Sequence, residues 1–363
     1  MAFLTIEHVQ IAGLTACVPP AVEENISLSI FKDEAEAEKV IASTGIERKR
    51  VVEPGFTASD LSYQAIESLL ADLKWTSDSV DVLIYVCTSR DYIAPITSAI
   101  LQDRLHLRND CYCLDLPLGC SGWVYGMSTL ASLLSHGQFK RGLLVCAETN
   151  SLNRSAKDKT VKPLFGDAAT VTALEYDAVW DKPLQFEFGV DGSGYKAVWT
   201  QYGGMRYPAT VEAVTEHEVE PGIIRKGTDM VVNGMDVFAF AIKVPPQSLS
   251  RLIAHFQIDT ERIDYLFLHQ ANRYIDERIR KKMGLPASKV PYCLQDYGNT
   301  NSASIPLAMV VCKSKELMQG AYECLGCGFG VGLAWGSIHY YIHNLRACRL
   351  ITFDYSKDCH KEK

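Results

Sequence analysis

The 363-residue chain has few of the features that mark membrane proteins or nucleic-acid-binding proteins. No uninterrupted apolar run approaches the roughly 20 residues that span a bilayer, and residues 1–10 lack the basic start and long apolar core of a secretory signal. Basic residues are in deficit, with 36 Lys and Arg against 43 Asp and Glu and a net charge of -7. This balance argues against a general nucleic-acid binder. We therefore expect a protein without a membrane span or a nucleic-acid partner.

Cysteine, in contrast, is not scarce, since the chain contains 12 of them. In a short secreted protein this content would indicate a disulfide scaffold. In a chain of this length without a recognisable signal, we instead expect reduced thiols and a cytoplasmic location. Hydrophobic residues make up 47% and charged residues 22%, as in ordinary globular proteins.

Apolar runs typical of strands alternate with helical patterns along the chain. The patterns predict strands at 9–14, 80–87, 142–147 and 265–268, and helices at 59–73, 96–105, 238–256, 273–283 and 304–318. Near-continuous apolar strands between helices indicate a mostly parallel sheet covered by helices. We predict two halves, residues 1–180 and 181–346, followed by a polar tail at 347–363. The turn-rich segment 181–232 is either a substrate-facing connection or a plain surface loop.

Cys120 lies where an apolar run ends and a helix is predicted to begin. Unpaired N–H groups and the helix dipole at such a turn lower the pKa of a cysteine and make it nucleophilic. Free cysteines are also among the most buried residues, so inert packing is the alternative. The position is therefore suggestive, and the remainder of the chain must supply its partners.

Two polar residues downstream occupy comparable positions. His269 follows the predicted strand 265–268, at the kind of strand end where sites collect in α/β sheets, and Asn299 precedes the helix at 304–318. A hydrogen-bonded histidine near a helix cap and an ordinary turn are the alternatives. Together with Cys120 they form a plausible set for acyl transfer, in which the thiol attacks a thioester and the other two donate hydrogen bonds to oxygen. Spacing alone does not prove that they meet.

The local sequences around these residues closely resemble ketoacyl-acyl carrier protein synthase III, a member of the thiolase superfamily. The resemblance extends over about residues 5–345, and six segments carry it in family order: 115–122, 165–169, 233–238, 269–272, 298–306 and 329–337. It implies an α/β protein with a thiolase-like five-layer α-β-α-β-α fold, built from two similar halves with the active site between them. It also implies a homodimer.

The resemblance implies a role for each candidate residue. Cys120 would carry the acyl group, while His269 and Asn299 would polarise the thioester carbonyl of malonyl-carrier protein and stabilise the enolate that decarboxylation leaves. The backbone N–H groups of Cys120 and Val331 would hold the oxyanion of the acyl-transfer steps. Acyl-CoA or acyl-carrier protein thioesters would be substrates, with no metal and no permanently bound cofactor.

A basic helix on an acidic chain is a candidate docking surface for a partner. Residues 272–283 carry five basic side chains against two acidic ones, and a cationic patch steers the docking of an acidic partner. By resemblance that partner is acyl carrier protein, with docking predicted at Arg273, Arg280, Lys281 and Lys282. A solvated helix face without a partner is the alternative.

The family that the chain resembles holds coenzyme A with a tryptophan and two arginines, and this chain has other residues at those three positions. Lys39, Ser43 and Lys159 stand at those positions, and lysine reproduces neither aromatic stacking nor bidentate phosphate binding. Pro117 and Leu118 replace small residues before the nucleophile, which predicts a different acyl pocket. The cofactor-binding residues thus remain unknown from sequence.

The resemblance implies a decarboxylating condensation of the acyl group on Cys120 with malonyl-carrier protein in fatty acid or related biosynthesis. Two other functions compete with it. The altered donor positions leave open an acyltransferase that moves the acyl group to an alcohol or amine without decarboxylation. A noncatalytic partner subunit is disfavoured because such subunits commonly lose the nucleophile or its partners. Neither acyl chain length nor the metabolic pathway follows from the sequence.

Three further patterns have plainer interpretations. The glycines at 326–332 lead into an apolar strand-like run instead of opening a helix, which disfavours a dinucleotide site. Cys324 and Cys327 form a lone CxxC without a second ligand pair, which favours buried strand cysteines. His339 and His343 have no acidic or thiol neighbour in sequence, so we expect them to be exposed.

Overall fold

The computed structural model describes residues 2–357, which form seventeen strands and ten α-helices. The strands are β1 Ala2–Ile6, β2 Val9–Val18, β3 Val22–Glu24, β4 Arg48–Arg50, β5 Val82–Val86, β6 Tyr112–Leu116, β7 Arg141–Glu148, β8 Ala168–Tyr176, β9 Leu184–Val190, β10 Val198–Trp199, β11 His217–Glu220, β12 Ile223–Arg225, β13 Val231–Val232, β14 Tyr265–Leu268, β15 Ala321–Gly330, β16 Ala334–His343 and β17 Ala347–Thr352. The helices are α1 Glu34–Thr44, α2 Ala58–Leu73, α3 Thr97–Arg104, α4 Gly122–Leu134, α5 Val211–Val214, α6 Gly234–Ala241, α7 Val244–Phe256, α8 Arg273–Lys282, α9 Leu294–Tyr297 and α10 Ser304–Gln319. No helix within these residues combines the length and apolar character needed to cross a bilayer.

Two large sheets organise the molecule. One has six strands in the order β17-β2-β8-β7-β5-β6, and the other has five in the order β1-β9-β16-β15-β14. Helices α4 and α10 lie between the sheets and share one hydrophobic core with both. Helices α2 and α3 cover the outer face of the first sheet, and α7 and α8 cover that of the second. The result is the five-layer α-β-α-β-α arrangement that we predicted.

The strand directions differ from the prediction of a mostly parallel sheet. In the first sheet β8 runs antiparallel to both β2 and β7, and in the second only β14 and β15 are parallel. The near-continuous apolar character of these strands reflects helices on both faces of each sheet. Burial on both faces, and not a parallel direction, produces that pattern.

The long helix predicted at 238–256 is two helices, α6 and α7. Between them lie Ile242 and Lys243, and α7 has proline in its first turn. A proline has no N–H to donate and clashes with the preceding turn, so it begins a helix but does not continue one. The break separates α6, which lies near the site described below, from the packing helix α7.

The prediction of a polar tail at 347–363 is wrong for the first residues of that segment. β17 pairs in parallel with β2, and the Phe353 side chain that follows it is 2% exposed. At the other end of the chain, β1 pairs with β9 in the second sheet. Each sheet therefore contains a strand from the opposite end of the chain, so the sheets do not follow the boundaries at 1–180 and 181–346. Residues 358–363 of the predicted tail lie outside the described residues.

Side-chain burial confirms one minor prediction and contradicts another. Cys324 and Cys327 are buried in β15, as expected. His343 is exposed, but His339 is buried and lies 3.0 Å from Glu323 Oε1 on the neighbouring strand. The sequence near His339 contains no acidic residue because strand pairing, not chain proximity, supplies this one.

Candidate active site

Cys120 lies in the short turn that joins β6 to α4. The end of β15 presses against it, since a Cβ atom at Gly330, where φ is +154°, would lie 2.7 Å from the Cys120 Sγ. No side chain fits in that gap, and φ in this range favours glycine. The glycine-rich hairpin between β15 and β16 therefore brings backbone groups directly to the thiol.

The Cys120 thiol is protonated in the free protein at neutral pH. Burial raises its pKa to about 12, and the negative charge of Glu148 acts in the same direction. A hydrogen bond from the Val331 backbone N–H and the positive charge of Arg154 act to lower the pKa, without cancelling the effect of burial. Our expectation of a lowered pKa is therefore wrong, because the loss of water around the sulfur outweighs the local donors.

His269 is held between β14 and α8 by a buried serine. Its Nδ1 lies 2.8 Å from the Ser304 Oγ, and that hydroxyl lies 2.8 Å from the Asn301 carbonyl oxygen. Burial lowers the pKa of His269 to about 3, so the ring is neutral at pH 7. The Ser304 hydroxyl can donate to either neighbour. Both neutral tautomers are thus accommodated, with Nε2 either as a proton acceptor or as a donor.

Asn299 is positioned by a close approach of two loops. Its backbone N–H donates to the Leu164 carbonyl at 2.8 Å, and its carbonyl accepts from the Gly166 N–H at 3.2 Å. A Cβ atom at Gly166 would lie 2.1 Å from the Tyr297 carbonyl oxygen, so only glycine permits this contact. The segment at 165–169 that carries the resemblance therefore serves to place Asn299.

One cavity joins the predicted residues. Its volume is about 590 Å³, and its wall includes Cys120, His269, Asn299 and Val331. The remaining wall is mostly apolar, with contributions from Leu164, Phe165, Val198, Met230, Val232, Val237, Phe238, Ile275 and Phe329. The segment 181–232 thus contributes to the cavity, whereas the wall formed by residues 2–357 includes neither Pro117 nor Leu118. Its size and apolar character suit a small organic ligand with a few polar contacts.

Sequence analysis missed two buried charged residues beside the thiol. Glu148 ends β7 and is fully buried, and burial raises its pKa to about 7. Arg154 is 6% exposed, lines the cavity and lies with its guanidinium carbon 4.4 Å from the centre of the Phe165 ring. Burial lowers the pKa of Arg154 to about 10, which leaves it positively charged at pH 7. The position of Glu148 at the carboxyl end of a buried strand was the signal available.

The predicted docking residues lie on α8, whose first turn lines the cavity. Arg273, Lys281 and Lys282 are exposed. Arg280 is not, because its guanidinium is 2.8 Å from Glu277 Oε2 and donates to the Leu285 carbonyl at 2.6 Å. Intramolecular partners thus engage Arg280, and its role in docking stays a prediction.

The positions where the family holds coenzyme A carry other contacts in this protein. Lys39 is exposed, and Ser43 lies on the wall of the cavity. Lys159 forms an ion pair with Glu36 of α1 at 2.8 Å. Its positive charge is therefore already balanced by a carboxylate within the chain.

Comparisons with known proteins agree with this arrangement. Residues 114–192 match the family model for 3-oxoacyl-[acyl-carrier-protein] synthase III, and residues 253–342 match the model for the C-terminal part of that family. The beta-ketoacyl-[acyl-carrier-protein] synthase III of Streptococcus agalactiae is 31% identical, over 91% of this chain and 98% of the relative. The crystal structure of a 3-oxoacyl-(acyl-carrier protein) synthase from Burkholderia xenovorans LB400 superposes with a TM-score of 0.90 at 32% identity, covering 97% of this chain and 99% of that one.

The two-sheet architecture and the cavity that joins a cysteine, a histidine and an asparagine define a thiolase-like protein. Within that class, the extent and identity of the sequence match specify the family. The chain belongs to the 3-oxoacyl-[acyl-carrier-protein] synthase III family.

Proposed function

We propose that this protein condenses an acyl group bound to Cys120 with malonyl-acyl carrier protein, with release of carbon dioxide. The observation that supports this proposal is the single cavity that contains Cys120, His269, Asn299 and the Val331 backbone. Such a cavity brings a nucleophile and oxygen-binding donors to the same substrate. Relatives that share most of the chain have this synthase activity in their names.

In the first step, the Cys120 sulfur attacks the thioester carbonyl of the donor. Because the thiol is protonated, its proton passes to His269 Nε2 as the carbon–sulfur bond forms. The oxyanion accepts hydrogen bonds from the backbone N–H groups of Cys120 and Val331. The donor thiolate then leaves and recovers the proton, which yields the acyl-enzyme.

In the second step, the malonyl thioester enters the cavity. In the Nε2–H tautomer of His269, in which the Ser304 hydroxyl donates to Nδ1, the ring and the Asn299 amide donate to the carbonyl oxygen of this substrate. The bond to the carboxylate then breaks, carbon dioxide leaves and an enolate remains. The enolate carbon attacks the acyl carbonyl on Cys120. Collapse of that intermediate expels the sulfur, which takes a proton from solvent.

Carrier protein suits the cavity mouth as the acyl donor better than coenzyme A. Lys159 is paired with Glu36, and no aromatic ring stands at Lys39 to stack on adenine. The exposed basic side chains of α8 fit an acidic carrier protein. We further propose a homodimer, for which the edge strand β6 is available, because among residues 2–357 its outer edge pairs with no strand.

The test measures acylation of Cys120 and the later condensation separately. Intact mass spectrometry follows the adduct formed with a panel of acyl-CoA and acyl-carrier protein donors, and labelled carbon dioxide follows decarboxylation of malonyl-acyl carrier protein. We expect an adduct that Cys120→Ala abolishes and that Cys312→Ala, which removes a thiol outside the cavity wall, retains. His269→Ala and Asn299→Ala should each reduce carbon dioxide release by about 100-fold or more.

Two results would count against the proposal. If Cys120→Ala still forms the adduct, the nucleophile is elsewhere. If the acyl-enzyme forms but labelled malonyl-acyl carrier protein releases no carbon dioxide, transfer to an alcohol or amine becomes the better assignment.

A further inference from the structure

The carboxylate of Glu148 has an unusually complete set of hydrogen-bond donors for a residue outside the cavity wall. Its oxygens accept from the backbone N–H and hydroxyl of Thr88 at 3.0 and 2.9 Å, and from those of Ser89 at 3.2 and 2.9 Å. A buried carboxylate is costly unless donors satisfy it in this way. The loop after β5 therefore holds Glu148 in one position.

A further donor to Glu148 comes from the loop that carries Asn299. The Asn301 Nδ2 lies 3.1 Å from Glu148 Oε1 and 3.3 Å from the Thr88 Oγ1. The backbone of Asn301 is left-handed, with φ of +54°. This conformation is unfavourable for residues other than glycine, although asparagine tolerates it better than most. The contact with Glu148 thus holds Asn301 in a conformation that few side chains would adopt.

The backbone of Asn301 in turn contacts both oxygen-binding side chains. Its N–H donates to the Asn299 Oδ1 at 2.9 Å, which leaves the Asn299 Nδ2 as the amide group available to the cavity. Its carbonyl oxygen lies 2.8 Å from the Ser304 Oγ, which lies 2.8 Å from His269 Nδ1. The hydroxyl donates to the carbonyl when Nδ1 carries the ring proton and to Nδ1 when Nε2 carries it. A rotation of Asn301 would therefore displace both donors together.

We propose that Glu148 and Asn301 are positioning residues for His269 and Asn299. Glu148 holds the Asn301 side chain, Asn301 keeps its left-handed backbone, and that backbone orients the amide of Asn299 and, through Ser304, the ring of His269. Neither Glu148 nor the Asn301 amide takes part in bond making. The inference rests on the proposed function, because it assigns the pair to the step in which the enolate forms.

The proposal predicts unequal losses in the two half-reactions. Acylation of Cys120 uses His269 but not Asn299, so it should fall less than decarboxylation, and loss of the negative charge at Glu148 acts against that fall because the charge raises the pKa of the thiol. Decarboxylation needs both oriented donors, and removal of a single oxyanion donor in other enzymes costs about 100-fold to 1000-fold. A purely structural role for Glu148 would slow both half-reactions alike.

The experiment compares Glu148→Gln, Asn301→Gly and the double variant with wild type in the full chain. Glu148→Gln keeps the shape of the side chain, and Asn301→Gly accepts a φ of +54° while it removes the amide. We expect the kcat for carbon dioxide release from malonyl-acyl carrier protein to fall by about 10-fold to 100-fold in each variant. The rate of Cys120 acylation should fall by clearly less than this, because acylation uses His269 alone, and the KM should change by less than about threefold. The double variant should lose little more than either single variant.

Additional substitutions keep the test decisive if one of the variants misfolds. Asn301→Ala removes the same amide but strains the backbone, so it should lose more decarboxylation than Asn301→Gly. Glu148→Asp retains the negative charge and should recover part of the activity lost in Glu148→Gln. If Glu148→Gln does not fold, the comparison of the two Asn301 variants carries the test.

The outcomes distinguish this inference from the proposed function. Equal loss of acylation and decarboxylation, wild-type activity in Asn301→Gly, or multiplicative losses in the double variant would overturn the positioning role. Absence of both half-reactions in wild type would instead overturn the proposed function itself.

Discussion

At the scale of single residues, the protonated thiol of Cys120 means that the free protein does not contain a ready thiolate nucleophile. A helix start beside a thiol suggests a resident thiolate. Here burial raises the pKa of Cys120 to about 12, so the free protein contains a neutral thiol and a neutral His269 in the same cavity. Activation must then accompany substrate binding, when the sulfur attacks and the ring accepts its proton.

The pH dependence of alkylation tests this state directly. Because the raised pKa of about 12 leaves only a small thiolate fraction, we expect the rate of Cys120 modification by iodoacetamide to rise about tenfold per pH unit from pH 7 to pH 10. The measurement is site-resolved mass spectrometry, with glutathione as the reference thiol. A plateau below pH 8 would contradict the expectation.

At the scale of helices, α8 joins the cavity to an exposed basic end. Its first turn lines the cavity, and Lys281 lies about 12 Å further along the axis than Arg273. Lys281 and Lys282 are exposed, whereas Arg280 is engaged within the chain. The same short helix can therefore contact substrate at one end and a partner at the other.

Charge reversal on α8 should weaken carrier-protein docking without altering the chemistry. In Lys281→Glu/Lys282→Glu we expect the KM for malonyl-acyl carrier protein at low salt to rise by about tenfold, with kcat nearly unchanged. Activity with malonyl-pantetheine should not change, because that substrate lacks the carrier. Lys315→Glu, at an exposed position on α10, is the matched control. Equal effects on both substrates would point to damage within the cavity instead.

Helix and strand positions were largely predictable, because period and turn residues are local properties. The strand predicted at 265–268 is β14, and the helix predicted at 304–318 is α10 with one further residue. The error at 238–256 arose where local helical pattern continued across a proline-containing junction. The directions of the strands and the neighbours of each strand were not predictable, because they depend on which distant segments pair in the sheets.

At the scale of the whole molecule, strands near both ends of the described residues complete the two sheets. β1 completes the second sheet and β17 the first, and Phe353 packs beyond β17. Its ring centre lies 5.5 Å from that of Phe56 and 5.0 Å from that of Tyr355. The segment 347–355 thus packs on the half that contains Cys120.

Truncation of the Phe353 side chain should therefore lower the stability of the protein. We expect Phe353→Ala to lower the free energy of unfolding by about 3 to 5 kcal/mol, as for other buried aromatic residues. Chemical denaturation monitored by circular dichroism measures the change. Leu350→Ala is the control, because Leu350 is 38% exposed and should lose clearly less. A loss of unfolding free energy below about 1 kcal/mol in Phe353→Ala would instead favour the predicted polar tail.

The sequence by itself determined the class of fold, most elements and three residues of the candidate site. Hydrophobic period and turn residues, which are local, indicated the elements. The fold and the three site residues followed from the family resemblance that the short segments around Cys120, His269 and Asn299 carry. Only the tertiary structure decided the strand directions, the protonation of the Cys120 thiol and the contact of Glu148 with Asn301. Each of these depends on burial and on contacts between residues far apart in sequence, which no local pattern encodes.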